Sequence, residues 1–164
     1  MNRNRMDSHQ WDSGLDPEVV PLFLNLQWAH ARSLQDMRPL LLRHGLSAAE
    51  FDVLATLRNA PAPHEMTPSQ IQREMVITSG GLTKLMLQLA RRGLVERLPC
   101  TDDRRVKPLR LTATGRQAVE AAMAELLAVS GQWIRAALTS GEIAQLTELL
   151  RRLVAAPERG EPPD

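Results

Sequence analysis

A chain of 164 residues with 43% hydrophobic residues, 24% charged residues and a formal net charge of +1 suits one domain, or one compact domain with a dimerisation arm, and can bury a core. Tyr is absent and only two Phe and three Trp occur, a balance that favours helix over sheet. No apolar run approaches the roughly 18 residues that span a bilayer, a lone cysteine, Cys100, excludes an internal disulfide framework, and the polar start "MNRNRMDSHQWDSG" lacks a signal-peptide core. A soluble, cytoplasmic chain with no membrane partner is the expectation.

Residues 1–15 read as a flexible segment, and the first strong helix opens at Asp16-Pro17-Glu18. Asp caps, Pro fits the first helical position, and Glu suits the positive end of the dipole. Val19, Val20, Leu22, Phe23, Leu24, Leu26 and Trp28 follow, an apolar surface too wide for a one-sided helix. Another chain or the domain's own core must cover it. Pro39 is expected to bend or break this helix and Gly45 to end it. The region 16–45 is therefore assigned to dimerisation.

Ser47-Ala-Ala-Glu50 is a capping box for a second helix with Phe51, Leu54 and Leu57 on one face. Thr67-Pro68 caps a third, short helix. Thr78 or Ser79 opens a fourth, closed by Gly93, with Leu82, Leu85, Met86 and Leu89 at helical spacing. Leu94–Leu98 and Leu109–Leu111 both alternate and bracket "TDDRRVKPLRLT", predicting a two-stranded hairpin with a long charged tip. Thr112 caps a long helix to about Leu138, and Thr139-Ser140-Gly141-Glu142 caps a last one with Ile143, Leu146, Leu149, Leu150 and Leu153 on one side. Residues 113–155 are read as C-terminal dimerisation helices and 156–164 as a disordered tail. The fold class is mainly α with a small two-stranded β-wing. Residues 46–112 form a winged helix-turn-helix domain, whose fourth helix ordinarily enters a DNA major groove.

Charge is distributed unevenly. Between positions 91 and 116 eight basic residues face three acids, giving +5 there and −4 for the remainder. A basic segment on an acidic body is expected of an anion-binding face.

The stretches "HGLSAAEFDVLATLR", "MTPSQIQREMVITSGGLTKLMLQLARRGLVERL" and "DDRRVKPLRLTATGR" resemble the MarR family of bacterial transcription regulators from about Gly45 to Gly115. The resemblance implies a homodimer held by its terminal helices, with two wings and two recognition helices facing one palindromic operator in double-stranded DNA. A repressor released by a ligand is the expected mode. On the wing, Arg105 stands at the family's tip position, with Arg104 beside it and Asp103 orienting the arginines. On the fourth helix Ser79, Gly80, Thr83 and Lys84 occupy the exposed start, where small hydroxyls and backbone N–H groups suit phosphates and base edges. Ser69, Gln70 and Arg73 on the third helix are candidate phosphate contacts. "EFDVLATLR" and "TSGGLT" further resemble the branch that answers to urate and related aromatic acids. There the Asp of "FDV" matches Asp52, and an N-terminal Trp matches Trp11 or Trp28. Leu85 stands where that branch carries an arginine, so a different planar acid is implied. Arg32, one turn from Trp28, is placed to pair with its carboxylate.

The histidines His9, His30, His44 and His64 show no metal spacing, and no P-loop, His-Glu-x-x-His or nucleophile-elbow pattern occurs. No metal, cofactor or enzymatic activity is expected. Two rival readings stand beside the regulator. One is a winged-helix module that binds protein, the other a thiol-responsive regulator using Cys100, whose neighbours Arg97 and Arg104 favour a thiolate.

Overall fold

The computed structural model describes residues 15–75, 81–98 and 107–155. In chain order they form α1 (Val19–Arg43), α2 (Ala48–Asn59), β1 (Glu65–Met66), α3 (Pro68–Glu74), α4 (Leu82–Arg91), β2 (Val95–Arg97), β3 (Leu109–Leu111), α5 (Ala113–Ala137) and α6 (Ser140–Val154). The chain groups into two compact units, one ending at Met123 and one beginning at Ala124, so the division falls within α5.

Local signals set most boundaries. Asp16 Oδ1 accepts from the backbone N–H groups of Glu18 at 2.9 Å and Val19 at 3.0 Å, which holds its carboxyl below the usual range. Ser47 and Glu50 form the expected capping box, and Thr139 and Glu142 form another at the start of α6. α1 and α4 close alike. Leu46 N–H donates to Leu41 O and Gly45 N–H to Leu42 O; Leu94 N–H donates to Leu89 O and Gly93 N–H to Ala90 O. These are paired Schellman bonds, with each glycine just past its helix.

Two expectations are corrected and one is extended. Pro39 does not end α1, which runs on to Arg43. The two residues after it, Leu40 and Leu41, are 2% and 0% exposed; burying each contributes about 1.5–3 kcal/mol, enough to offset the roughly 3 kcal/mol of an internal proline. α4 starts at Leu82, later than Thr78 or Ser79, because Gly81 has φ +103° and stands outside the helix as its N-cap. The predicted two-stranded ribbon is present as β2 and β3, and β1 adds a third antiparallel strand, giving the order β1-β3-β2. β1 is two residues long, too short to show alternation.

The first unit's core draws on all of its helices and on β2 and β3. Leu40 and Leu41 of α1, Leu46, Val53, Leu54 and Leu57 of α2, Ile71 of α3, Met86 and Leu89 of α4, Val95, Leu109, and Val119 and Ala122 of α5 are all essentially inaccessible to solvent. In the second unit, α6 buries none of its residues. No helix among the described residues is long and apolar enough to cross a membrane.

Candidate nucleic-acid interface

α3 packs against α4, and α4 also packs against β2 of the wing. α3 is set by a second reciprocal cap: Thr67 Oγ1 accepts from Gln70 N–H at 3.3 Å, and Gln70 Oε1 accepts from Thr67 N–H at 2.8 Å and from the Thr67 hydroxyl at 2.9 Å. Ser69 Oγ lies 3.2 Å from Thr67 Oγ1. Ser69, Gln70 and Arg73 are all exposed, while Ile71 is fully buried beneath them. Because the Gln70 carbonyl oxygen serves the cap, its amide N–H groups are what it offers outward. Donors are what a phosphate requires.

On α4 the buried side is Leu82, Met86 and Leu89, with Leu85 half-buried. The opposite side exposes Thr83 and Lys84, as expected from the sequence, and also Leu87, Gln88 and Arg91. The sequence reading missed these three because it stopped at the helix start. The apolar stripe already implied them, since positions 84, 87, 88 and 91 fall opposite 82, 86 and 89 on a 3.6-residue period, with 83 on the flank. No acid occupies the first turn of α4, and Lys84 adds positive charge to an end the helix dipole already makes positive. That arrangement is unfavourable for an isolated helix and favourable for a bound anion. A Cβ built on Gly81 meets nothing within 4 Å, so its backbone conformation and not crowding calls for glycine.

Two side chains anchor α4 and the wing. Arg92, at the end of α4, donates from Nη1 to Glu50 Oε1 at 2.6 Å and from Nη2 to the Gly45 carbonyl at 2.8 Å, tying the end of α4 to the α1–α2 turn. Partial burial pushes the Glu50 carboxyl up, but bonds from Ser47 and Arg92 outweigh it and hold the group below its ordinary value. Thr112 joins three elements. Its hydroxyl donates to Gly93 O at 2.6 Å and accepts from Gly115 N–H at 3.0 Å, and its own N–H donates to Leu94 O at 3.1 Å. Gly115 packs so closely that an added Cβ would lie 1.8 Å from the Leu94 carbonyl oxygen. The Leu-Thr-x-x-Gly pattern thus locks the end of α4, the base of the wing and the start of α5.

Not every base of the 91–116 segment is available to an anion. Arg92 is engaged by Glu50. Arg110, central in the register Glu65↔Arg110↔Glu96, donates to Glu96 Oε1 at 2.7 Å and lies 3.7 Å from Glu65. The Glu96 hydrogen bond and charge raise the Arg110 pKa above its ordinary value. Arg116 lies 3.9 Å from Glu120, which also pairs with Arg58. Arg91, Arg97 and Lys107 remain exposed around α4 and the wing base. Ser79, Gly80, Cys100, Asp103, Arg104 and Arg105 lie outside the described residues, as does Trp11. Of the residues assigned to a ligand, Trp28 is half-buried and Arg32 exposed on α1, and Asp52 is a buried carboxylate on α2. No group of three residues able to hold a metal occurs among the described residues.

This arrangement has known counterparts. The MarR family pattern matches residues 46–107. The transcriptional regulator PecS of Dickeya dadantii is 33% identical over 109 residues, covering 54% of this chain and 66% of the relative. The multiple antibiotic resistance protein MarR of Escherichia coli is 28% identical over 142 residues, 87% of this chain and 96% of the relative. A crystal structure of a mutant of that protein complexed with operator DNA superimposes with a TM-score of 0.69 at 27% identity, covering 85% of this chain and 96% of that one. The first of these relatives is a transcriptional regulator, and a mutant of the second is seen bound to operator DNA. The chain belongs to the MarR family of winged-helix, DNA-binding transcription regulators.

Proposed function

We propose that the chain acts as a homodimeric repressor that binds a palindromic operator, with α4 and the wing of each protomer on one half-site. The observation that carries this reading is the exposed α4 face, Thr83, Lys84, Gln88 and Arg91, on a helix whose positive end no acid offsets. Ser69, Gln70 and Arg73 of α3, Ser79 and Gly80 before α4, and Asp103, Arg104 and Arg105 of the wing complete the assigned DNA contacts. The complex of the Escherichia coli relative with operator DNA supports the same use of the fold.

Pairing of two chains accounts for apolar surface that one chain leaves in water. Val19, Leu22 and Phe23 of α1 are each more than half exposed, and Leu146, Leu149 and Leu153 of α6 are 44%, 50% and 52% exposed. A two-fold dimer matches a palindrome, with half-sites about one helical turn apart. Sedimentation of the full chain with a duplex selected from random sequence is expected to give two chains per duplex. A single chain per duplex, or no complex, contradicts the reading.

Release by a small, aromatic-acid-like effector completes the proposal, with Trp28 for stacking, Arg32 for the carboxylate and Asp52 and Trp11 as further ligand residues. An effector that separates the two recognition helices shifts the population away from the DNA-fitting state. Tryptophan fluorescence titrated against a panel of aromatic acids is expected to change with at least one; no response from any rejects an effector near Trp28.

A further inference from the structure

Among the described residues of 46–112, Leu87 is the only exposed large hydrophobic, at 44% exposure; the others belong to α1 and its approach or to α5 and α6. It is neither at a helix end nor beside another apolar exposed residue. Its neighbours on the same face are Thr83 one turn before, Lys84 three residues before and Arg91 one turn after, all exposed. Two cations therefore bracket one isobutyl group on the helix face assigned to DNA. A purely phosphate-binding face has no use for it. The major groove contains one apolar feature, the 5-methyl group of thymine.

We propose that Leu87, with the methyl of Thr83 one turn before it, forms an apolar strip that reads the 5-methyl group of a thymine in each half-site. This rests on α4 entering the major groove and adds the base it selects there. Thr83 and Leu87 are separated by about 6 Å along the helix axis, so the strip spans about two base-pair steps of roughly 3.4 Å. The Thr83 hydroxyl keeps a polar contact for a neighbouring base edge, while Lys84 and Arg91 are left for phosphates. Exposure of Leu87 in the free chain is then the cost of a contact made only on the correct sequence.

The test uses duplexes selected by the full chain from a random library, with each thymine of a half-site replaced singly by deoxyuridine, which removes one methyl and keeps all hydrogen-bonding groups. The parent is expected to lose on the order of three- to tenfold in affinity at one position, the amount a buried methyl supplies, and 5-methylcytosine at the corresponding G·C variant is expected to recover part of it. Leu87→Ala, checked for native circular dichroism, is expected to discriminate far less than the parent between the thymine and deoxyuridine duplexes. Parent binding that is indifferent to every such replacement overturns the proposal and leaves DNA binding standing. Discrimination by Leu87→Ala as strong as the parent's overturns it as well. Failure to select any duplex would instead overturn the function on which it rests.

Discussion

Glu50 serves two partners at once. It accepts from the Ser47 backbone at 2.8 Å as the far half of a capping box, and from Arg92 at 2.6 Å across 42 positions of sequence. Its folded pKa lies below the ordinary value, so its contribution to stability is fully present above the unfolded glutamate pKa and is lost as the pH falls through the folded one. Unfolding measured down this acid range is expected to show a stability loss in the parent that Glu50→Gln lacks, since glutamine keeps the cap acceptor but carries no charge to protonate. Equal acid sensitivity of the two proteins contradicts that role. In the proposed account, Arg105→Ala is expected to weaken operator binding by roughly five- to 150-fold while the dimer survives, read by titration and sedimentation of the same variant. Arg110→Ala is expected to matter less for DNA, because Glu96 and Glu65 already engage its charge.

At the scale of elements, the tightest approach is that of α5 to the wing base. Ala in place of Gly115 would bring its Cβ against a backbone carbonyl that cannot swing aside. Overpacking of this kind costs about 3 kcal/mol or more, well above the ~1 kcal/mol that alanine gains by helix propensity. Gly115→Ala is expected to lower the melting temperature by several degrees; an unchanged or higher value contradicts the packing described. Helix existence was legible in the sequence because Asp16, Ser47, Thr67 and Thr139 each carry local capping chemistry, and all four accept the hydrogen bonds that chemistry implies. The wing strands were legible from alternation. What was not legible depended on distant partners. β1 exists through its pairing with β3, Pro39 is tolerated because of the burial of Leu40 and Leu41, and the pairing of Arg92 with Glu50 crosses the whole helix-turn-helix. For the candidate site, the exposure of Thr83 and Lys84 was legible from their position at the start of α4, whereas that of Leu87, Gln88 and Arg91 follows from the period of the opposite, apolar side.

For the whole molecule, assembly and DNA binding are linked in the proposed account. Leu149 and Leu153 lie on a helix with no buried residue, so replacing both with Glu is expected to leave the first unit folded and the chain monomeric at concentrations where the parent is a dimer, with operator affinity falling together with dimer content. A monomer that binds the full operator as tightly as the parent contradicts two-fold recognition. The most direct test of the central claim, that paired basic faces grip duplex DNA, is the salt dependence of affinity for the selected duplex, compared between the parent and Lys84→Ala. Each neutralised phosphate contributes a slope of about −0.9 in log affinity against log salt. The account predicts a slope of several units for the parent, reduced by about two in Lys84→Ala because each protomer loses one contact. A parent affinity insensitive to salt, or a variant with the parent's slope and affinity, would contradict it.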